Sequence, residues 1–223
     1  MSAALSGSML DNGMTGIGVN MKKSNMIYIL VVLFMAAICL AAKTAATQES
    51  YAKTPSDYEG PFYPVTKQQD IDNDLIQVKG QTGVAKGNIL KLSGVVVNTK
   101  GEAQKNLIIE IWQTDSQGRY NHPGDKTPGE RDPNFQYWGA AATDTDGTFF
   151  FKTIIPGDYN PRPAHIHYKV LRDGKVILTS QIYFMEPNGR TRLPSMTSQI
   201  ELQTVDLKPA QNGEFGAFFR IVI

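Results

Sequence analysis

From Ile89 onward, short runs rich in β-branched and aromatic residues alternate with Gly, Asn, Asp and Pro. This is the pattern of an antiparallel β-sandwich. The runs predict strands over ILKLSGVVVN (89–98), LIIEIWQ (107–113), TFFFKT (148–153), HIHYKVL (165–171), VILTSQIYF (176–184), a run near 199–206 and FGAFFRIVI (215–223). Thr99-Lys-Gly101, Thr145-Asp-Gly147, Pro156-Gly157 and Arg172-Asp-Gly174 supply turn signals between them. No long helical period competes, and no propeller or solenoid repeat or low-complexity tract is present. Residues 43–88 and 121–146 read as loops or arms. Long loops in a compact domain are often functional. The domain expectation is an N-terminal arm over 47–88 and a sandwich over 89–223.

A different pattern precedes the arm. Lys22 and Lys23 lead into MIYILVVLFMAAICLAA, 17 uncharged residues from Met26 to Ala42, closed by Lys43. A basic start, an apolar centre and the small residues Ala41, Ala42, Ala45 and Ala46 read as a signal peptide over 21–46, with removal between Ala41 and Thr47. The chain would then be exported, periplasmic or extracellular, without stable membrane contact. An uncleaved anchor is the alternative, because the run approaches the ~20 residues of a spanning helix. A lipidated Cys39 fits poorly, since Ile38 precedes it. Residues 1–20 lack periodicity and stand before Met21, a natural start; they read as an upstream extension without function.

Charge narrows the partners. The chain carries 22 Lys+Arg against 21 Asp+Glu, and removing Lys22, Lys23 and Asp11 leaves 20 of each. Such a balance excludes a binder that tracks nucleic-acid phosphates. With 41% hydrophobic residues, disorder throughout is excluded too. A single cysteine, Cys39, excludes an internal disulfide framework and any Cys-rich zinc or iron-sulfur cage. A bound metal must therefore rely on His, carboxylate or Tyr.

His165 and His167 lie two apart in a predicted strand, so both side chains leave one face and can converge on a point. Alone, the pair equally suits two histidines that share a sheet face. Arg162 stands three residues before His165, Tyr159 closes Pro156-Gly-Asp-Tyr159, and Tyr120 closes Asp115-Ser-Gln-Gly-Arg-Tyr120. Each tyrosine read singly is an ordinary half-buried sheet aromatic. His122, in Asn121-His-Pro, reads as a solvated or loop-ordering histidine.

Taken in order, EGPFYP (59–64), EIWQTDSQGRY (110–120), DPNF (132–135), TDTDGTFFFKTIIPGDY (143–159), RPAHIH (162–167), TSQIYF (179–184) and the closing FGAFFRIVI resemble the intradiol ring-cleavage dioxygenases, and DPNF resembles their protocatechuate branch. The resemblance runs from about Tyr58 to Ile223. It implies one non-haem Fe(III) held by Tyr120, Tyr159, His165 and His167. The donor set agrees, because two phenolates and two imidazoles form a hard oxygen and nitrogen set suited to ferric iron. The implied reaction inserts both atoms of O₂ into a catechol-type aromatic diol and opens the ring between the hydroxylated carbons, giving a cis,cis-muconate-type diacid.

By the same resemblance Tyr159 is the ligand that departs to accept a substrate proton. Arg162 becomes the cation beside the reacting ring and Gln181 the pocket amide. Phe62, Tyr63 and Trp138 are expected as walls that contact the ring. Related enzymes commonly assemble, so a homo-oligomer is expected as well. Two departures bear on the substrate. The Asn160-Pro161 link between Tyr159 and Arg162 is short, and Tyr137-Trp-Gly-Ala140 stands where the family often carries an arginine, so a cation for a substrate carboxylate is missing. The competing readings are a catalytically silent transthyretin-like binding module and a copper site.

Overall fold

The computed structural model describes residues 28, 31–32, 50–66, 70–190, 193 and 197–223. The chain divides into a unit over Met1–Gln48 and a unit over Glu49–Ile223. Of the first unit only Tyr28, Val31 and Val32 are described, helical and exposed. The rest of the expected signal peptide and the upstream extension lie outside the described residues. Among the described residues, no helix is long and apolar enough to cross a membrane.

Among the described residues, nine strands carry the second unit: β1 (Ile89–Val97), β2 (Ile108–Trp112), β3 (Trp138–Ala142), β4 (Thr148–Ile154), β5 (His165–Arg172), β6 (Lys175–Met185), β7 (Thr204–Asp206), β8 (Lys208–Pro209) and β9 (Phe215–Val222). They form a four-stranded sheet in the order β4-β1-β9-β8 and a five-stranded sheet in the order β3-β2-β5-β6-β7. The pairings are antiparallel except β1 with β9 and β6 with β7, which run parallel.

Three expectations are corrected. The run near 199–206 splits into a helical turn α1 (Ser198–Glu201), capped by the Thr197 hydroxyl, and the short strand β7. β8 was not expected at all. β3 lies inside the stretch read as loop, because Trp138-Gly-Ala-Ala-Ala offers little β-branched signal and gains its strand by pairing along β2.

The period of two along the strands separates the chemistry from the core. Leu90, Leu92, Phe149, Phe151, Phe219 and Ile221 of one sheet meet Ile109, Ile111, Ile166, Tyr168, Val170 and Ile182 of the other. Tyr168 and Phe219 pack edge to face at 5.6 Å between ring centres. Full burial of one such side chain contributes ~1.5–3 kcal/mol, so the register cannot slip by one without turning this set outward. The intervening residues of the five-stranded sheet then share the opposite face. There His167 stands opposite Trp112 on β2 and Gln181 on β6, while His165 stands opposite Tyr183.

The arm is bonded to both sheets and reaches that face at Tyr58, whose carbonyl accepts from the Gln181 side chain at 2.7 Å. Thr54 donates to the Val222 carbonyl at 3.0 Å, Asp57 donates to the Thr179 carbonyl at 2.9 Å, and the Ser180 hydroxyl donates to the Pro55 carbonyl at 2.7 Å.

Candidate metal centre

Both histidines are nearly inaccessible, each 3% exposed. The His165 Nδ1 lies 2.7 Å from the Pro163 carbonyl. That oxygen can only accept, so Nδ1 carries the proton and Nε2 keeps its lone pair. Nε2 faces the His167 Nε2 at 3.1 Å and the Tyr120 Oη at 3.3 Å. His167 is held differently. Its ring stacks on Trp112 at 4.9 Å and 8°, and Gly60 covers it so closely that a Cβ there would stand 3.2 Å from its Cε1. Its Nδ1 has no hydrogen-bond partner among the described residues.

The tyrosines come from two loops that are laced together. Gly157 donates to the Asp115 carbonyl at 2.9 Å, and the Thr114 hydroxyl donates to the Gly157 carbonyl at 2.9 Å. Gly118, at φ +78°, lies against the Asp158 carbonyl with no room for a Cβ. The close approach of Gly118 and Gly157 is what brings Tyr120 and Tyr159 to a ring separation of 5.5 Å. Asp115 organises the first loop by accepting from Gln117 and Arg119 main-chain nitrogens at 2.8 and 3.1 Å. Asp125 accepts from the Tyr120 main-chain nitrogen at 2.6 Å. In the second loop Arg162 donates its main-chain N–H to the Tyr159 carbonyl at 2.6 Å, closing a turn over Asn160-Pro161.

Burial sets the protonation states. It lowers His165 to about 4, opposed by the Pro163 hydrogen bond and aided by Arg162. It takes His167 well below the ordinary histidine range, with His165 and Arg162 adding to the effect. Burial raises Tyr120, against the pull of Arg162, and raises Tyr159 with a contribution from Asp125. Two neutral imidazoles and two phenols therefore face one space. This set fits a hard, highly charged cation: the imidazoles offer lone pairs without giving up protons, and the cation's charge offsets the cost of ionising the phenols.

The metal-free protein should lose stability as pH falls. The unfolded chain takes up the His165 proton around 6.5 and the folded chain only near 4, with His167 also held well below its ordinary range. Stability is therefore full above 6.5 and declines through that window by up to ~1.4 kcal/mol per pH unit per histidine. Urea melts at pH 7 and pH 5 check this, and His165→Asn should flatten the dependence.

Arg162 extends from the second loop toward β6. Its guanidinium donates to the Gln181 Oε1 in a very short hydrogen bond and to the Tyr183 Oη at 2.8 Å. Tyr183 donates to the Gln181 Oε1 at 2.9 Å, and the Gln181 Nε2 donates to the Tyr58 carbonyl at 2.7 Å. Gln181, expected as a pocket amide, is fully buried and has both ends of its amide engaged. It orients Arg162 and anchors the arm. Trp138, expected as a pocket wall, is also buried, packed with Trp112 and Tyr120. Phe62 is half-buried, 5.0 Å from the Tyr120 ring and 5.3 Å from the Tyr159 ring. The half-buried Tyr63 meets Trp112 edge-on at 5.0 Å. His122 orders its loop, accepting from the Gly124 main-chain nitrogen at 3.0 Å.

A family model described as Dioxygenase matches residues 58–191, more than half of the chain and all of the residues above. The chain belongs to the intradiol ring-cleavage dioxygenase family.

The chain is 34% identical over 137 residues to the protocatechuate 3,4-dioxygenase beta chain of Burkholderia cepacia, covering 57% of the chain and 58% of that relative. To the catechol 1,2-dioxygenase of Acinetobacter baylyi it is 30% identical over 147 residues, covering 58% and 45%. The chain thus spans about half the length of these relatives. An intradiol ring-cleavage dioxygenase structure from Tetranychus urticae superposes with a TM-score of 0.58 at 22% identity, over 78% of the chain and 95% of that protein. At that identity the likeness establishes the fold.

Sequence reasoning missed Tyr183, Trp112 and Asp57 as parts of the candidate site. For Tyr183 a signal existed: it lies two residues beyond Gln181 on the same strand and so shares its face. Asp57, which accepts from Gln203 at 3.1 Å, carried none.

Proposed function

We propose that the chain is a ferric intradiol dioxygenase that joins both atoms of O₂ to a catechol-type diol and opens the ring between the hydroxylated carbons to give a diacid. The observation that carries this reading is the convergence of Tyr120 Oη, at 3.3 Å, and His167 Nε2, at 3.1 Å, on His165 Nε2, with the Tyr159 ring alongside. Tyr120, Tyr159, His165 and His167 would hold the iron. Ferric iron bound there supplies the Lewis acidity that favours the doubly deprotonated catechol and makes its ring reactive toward O₂.

The chain's own groups do the rest. Tyr159 is half-buried, and its phenol is raised above the ordinary range. Its Oη is therefore suited to take a substrate proton and keep it. Tyr120, 3% exposed and tied through its main chain to Asp125, stays in place. Arg162, oriented by Gln181 and Tyr183, holds a fixed positive charge that already acts on Tyr120 and both histidines. A preorganised charge of this kind stabilises negative charge that develops during reaction. Trp112, stacked on His167, and Phe62, packed against both tyrosine rings, exclude water from the donors. Export of residues 43–223 after signal removal is part of the same reading, and N-terminal sequencing of the secreted protein tests it.

The deciding experiment is an anaerobic optical spectrum of iron-loaded residues 43–223 with catechol, protocatechuate or hydroxyquinol. A broad visible phenolate-to-iron band should shift to longer wavelength with substrate and decay when O₂ is admitted. A folded, iron-supplied protein that stays colourless and binds catechols without consuming O₂ would instead be a binding module.

A further inference from the structure

Beside the metal centre lies a second buried polar cluster. Lys169, two residues beyond His167 on β5 and on the same face, is 8% exposed, and its cross-strand partner Glu110 is 6% exposed. A buried lysine is costly unless its charge is paired and its stem packed. Here Nζ meets Glu59 Oε2 at 2.8 Å, sits 3.4 Å above the Tyr63 ring centre and lies 5.6 Å from that of Trp112. The Tyr63 hydroxyl donates to Glu110 Oε2 at 2.6 Å. The floor of the cluster belongs to β2 and β5. Its upper half belongs to residues 59–63 of the arm.

That segment is the one that covers the metal ligands. Between Glu59 and Tyr63 lie Gly60, against the His167 ring, and Phe62, against the Tyr120 and Tyr159 rings. The segment is thus joined to the sheet at both ends by groups whose strength depends on charge: an ion pair at Glu59, and at Tyr63 a cation over the aromatic ring together with a carboxylate-phenol hydrogen bond. An apolar residue at 169 would pack equally well on Trp112 and Tyr63, so packing alone does not call for lysine.

We propose that Lys169 is a positioning residue which, with Glu59, Tyr63 and Glu110, clamps segment 59–63 over the metal ligands and so fixes Phe62 against the tyrosine that accepts the substrate proton. Lys169 touches no substrate; its part in turnover rests on the dioxygenase reading, whereas the clamp itself does not.

Amide hydrogen exchange on the metal-free protein tests the clamp without reference to activity. Lys169→Met keeps the stem and removes the charge. Exchange over residues 58–63 should rise about tenfold, equivalent to ~1.4 kcal/mol, while β1, β4 and β9 stay unchanged. Lys169→Arg, which can still pair with Glu59 and stack on Tyr63, should restore most of the protection. Unchanged exchange over 58–63, or a rise spread evenly through the sandwich, would overturn the proposal. Should Lys169→Met fail to fold, Glu59→Gln serves, because the Glu59 side chain is 43% exposed and its loss spares the sheet; the same localised rise is required.

With iron and catechol, Lys169→Met should raise KM several-fold with little change in kcat or in the visible band. Localised exchange without any turnover in the parent protein would leave the clamp standing and remove the dioxygenase reading.

Discussion

Tyr120→Phe is expected to remove ferric binding and ring cleavage together while leaving the sandwich folded. The substitution deletes one oxygen. In the metal-free protein that oxygen makes one buried hydrogen bond, to His165 at 3.3 Å, so the loss of stability should stay near ~1 kcal/mol. With iron the consequence is of another order. The phenol is raised by burial, so Tyr120 ionises only where a cation offsets that cost, and the cation in turn loses an anionic donor that no neighbour can replace. Even groups that merely support a metal ligand cost ~10- to 100-fold in affinity or activity when removed; loss of this ligand should exceed that range. Iron content by elemental analysis, the visible band and O₂ uptake check the outcome together. Stoichiometric iron and an unaltered band in Tyr120→Phe would show that the residue is a packing aromatic and no more.

Arg162→Ala should separate metal binding from turnover. The guanidinium contacts Gln181 and Tyr183 and none of the four candidate ligands directly, so iron content and the visible band should persist. Gln181 and Tyr183 remain bonded to each other at 2.9 Å, which limits structural damage. Turnover should nevertheless fall by ~10² to 10³ in kcat, the range for loss of one preorganised group facing developing charge. Arg162→Lys should recover only part of this, because a point charge cannot bond Gln181 and Tyr183 at once in the geometry of the fork. Steady-state O₂ consumption on iron-matched samples measures both variants. A kcat unchanged by Arg162→Ala would return the arginine to a purely structural place in the loop.

These two expectations draw unequally on what could be read before the fold was known. The histidines were legible because a period of two in a β-rich run places i and i+2 on one face whatever the fold. Tyr120 and Tyr159 became legible only through the family's motif order. Residues 39 apart in sequence have no local relation, and what unites these two is the contact of Gly118 with Gly157 and Asp158. Gln181 was recognised as the pocket amide, but only the fold shows that its amide bonds Arg162 and Tyr58. Trp138 was expected as a pocket wall, and the fold places it on a strand made by pairing with β2, which the local sequence does not announce.

By itself, the order of β-branched and aromatic runs determined that the chain forms a sandwich, because burial of Leu90, Phe151, Ile166 and their neighbours requires alternating faces over two sheets. The residue types determined that any metal would meet oxygen and nitrogen donors, since the one cysteine, Cys39, stands far from the motifs. The tertiary structure alone decided which loops meet, which face the arm covers and which charged groups end up paired. The physical reason is range: side-chain alternation and turn preference are fixed by neighbours in the chain, whereas the Tyr120-His165 and Lys169-Glu59 contacts exist only after β2, β5 and the arm have been brought together by burial of surfaces remote from them.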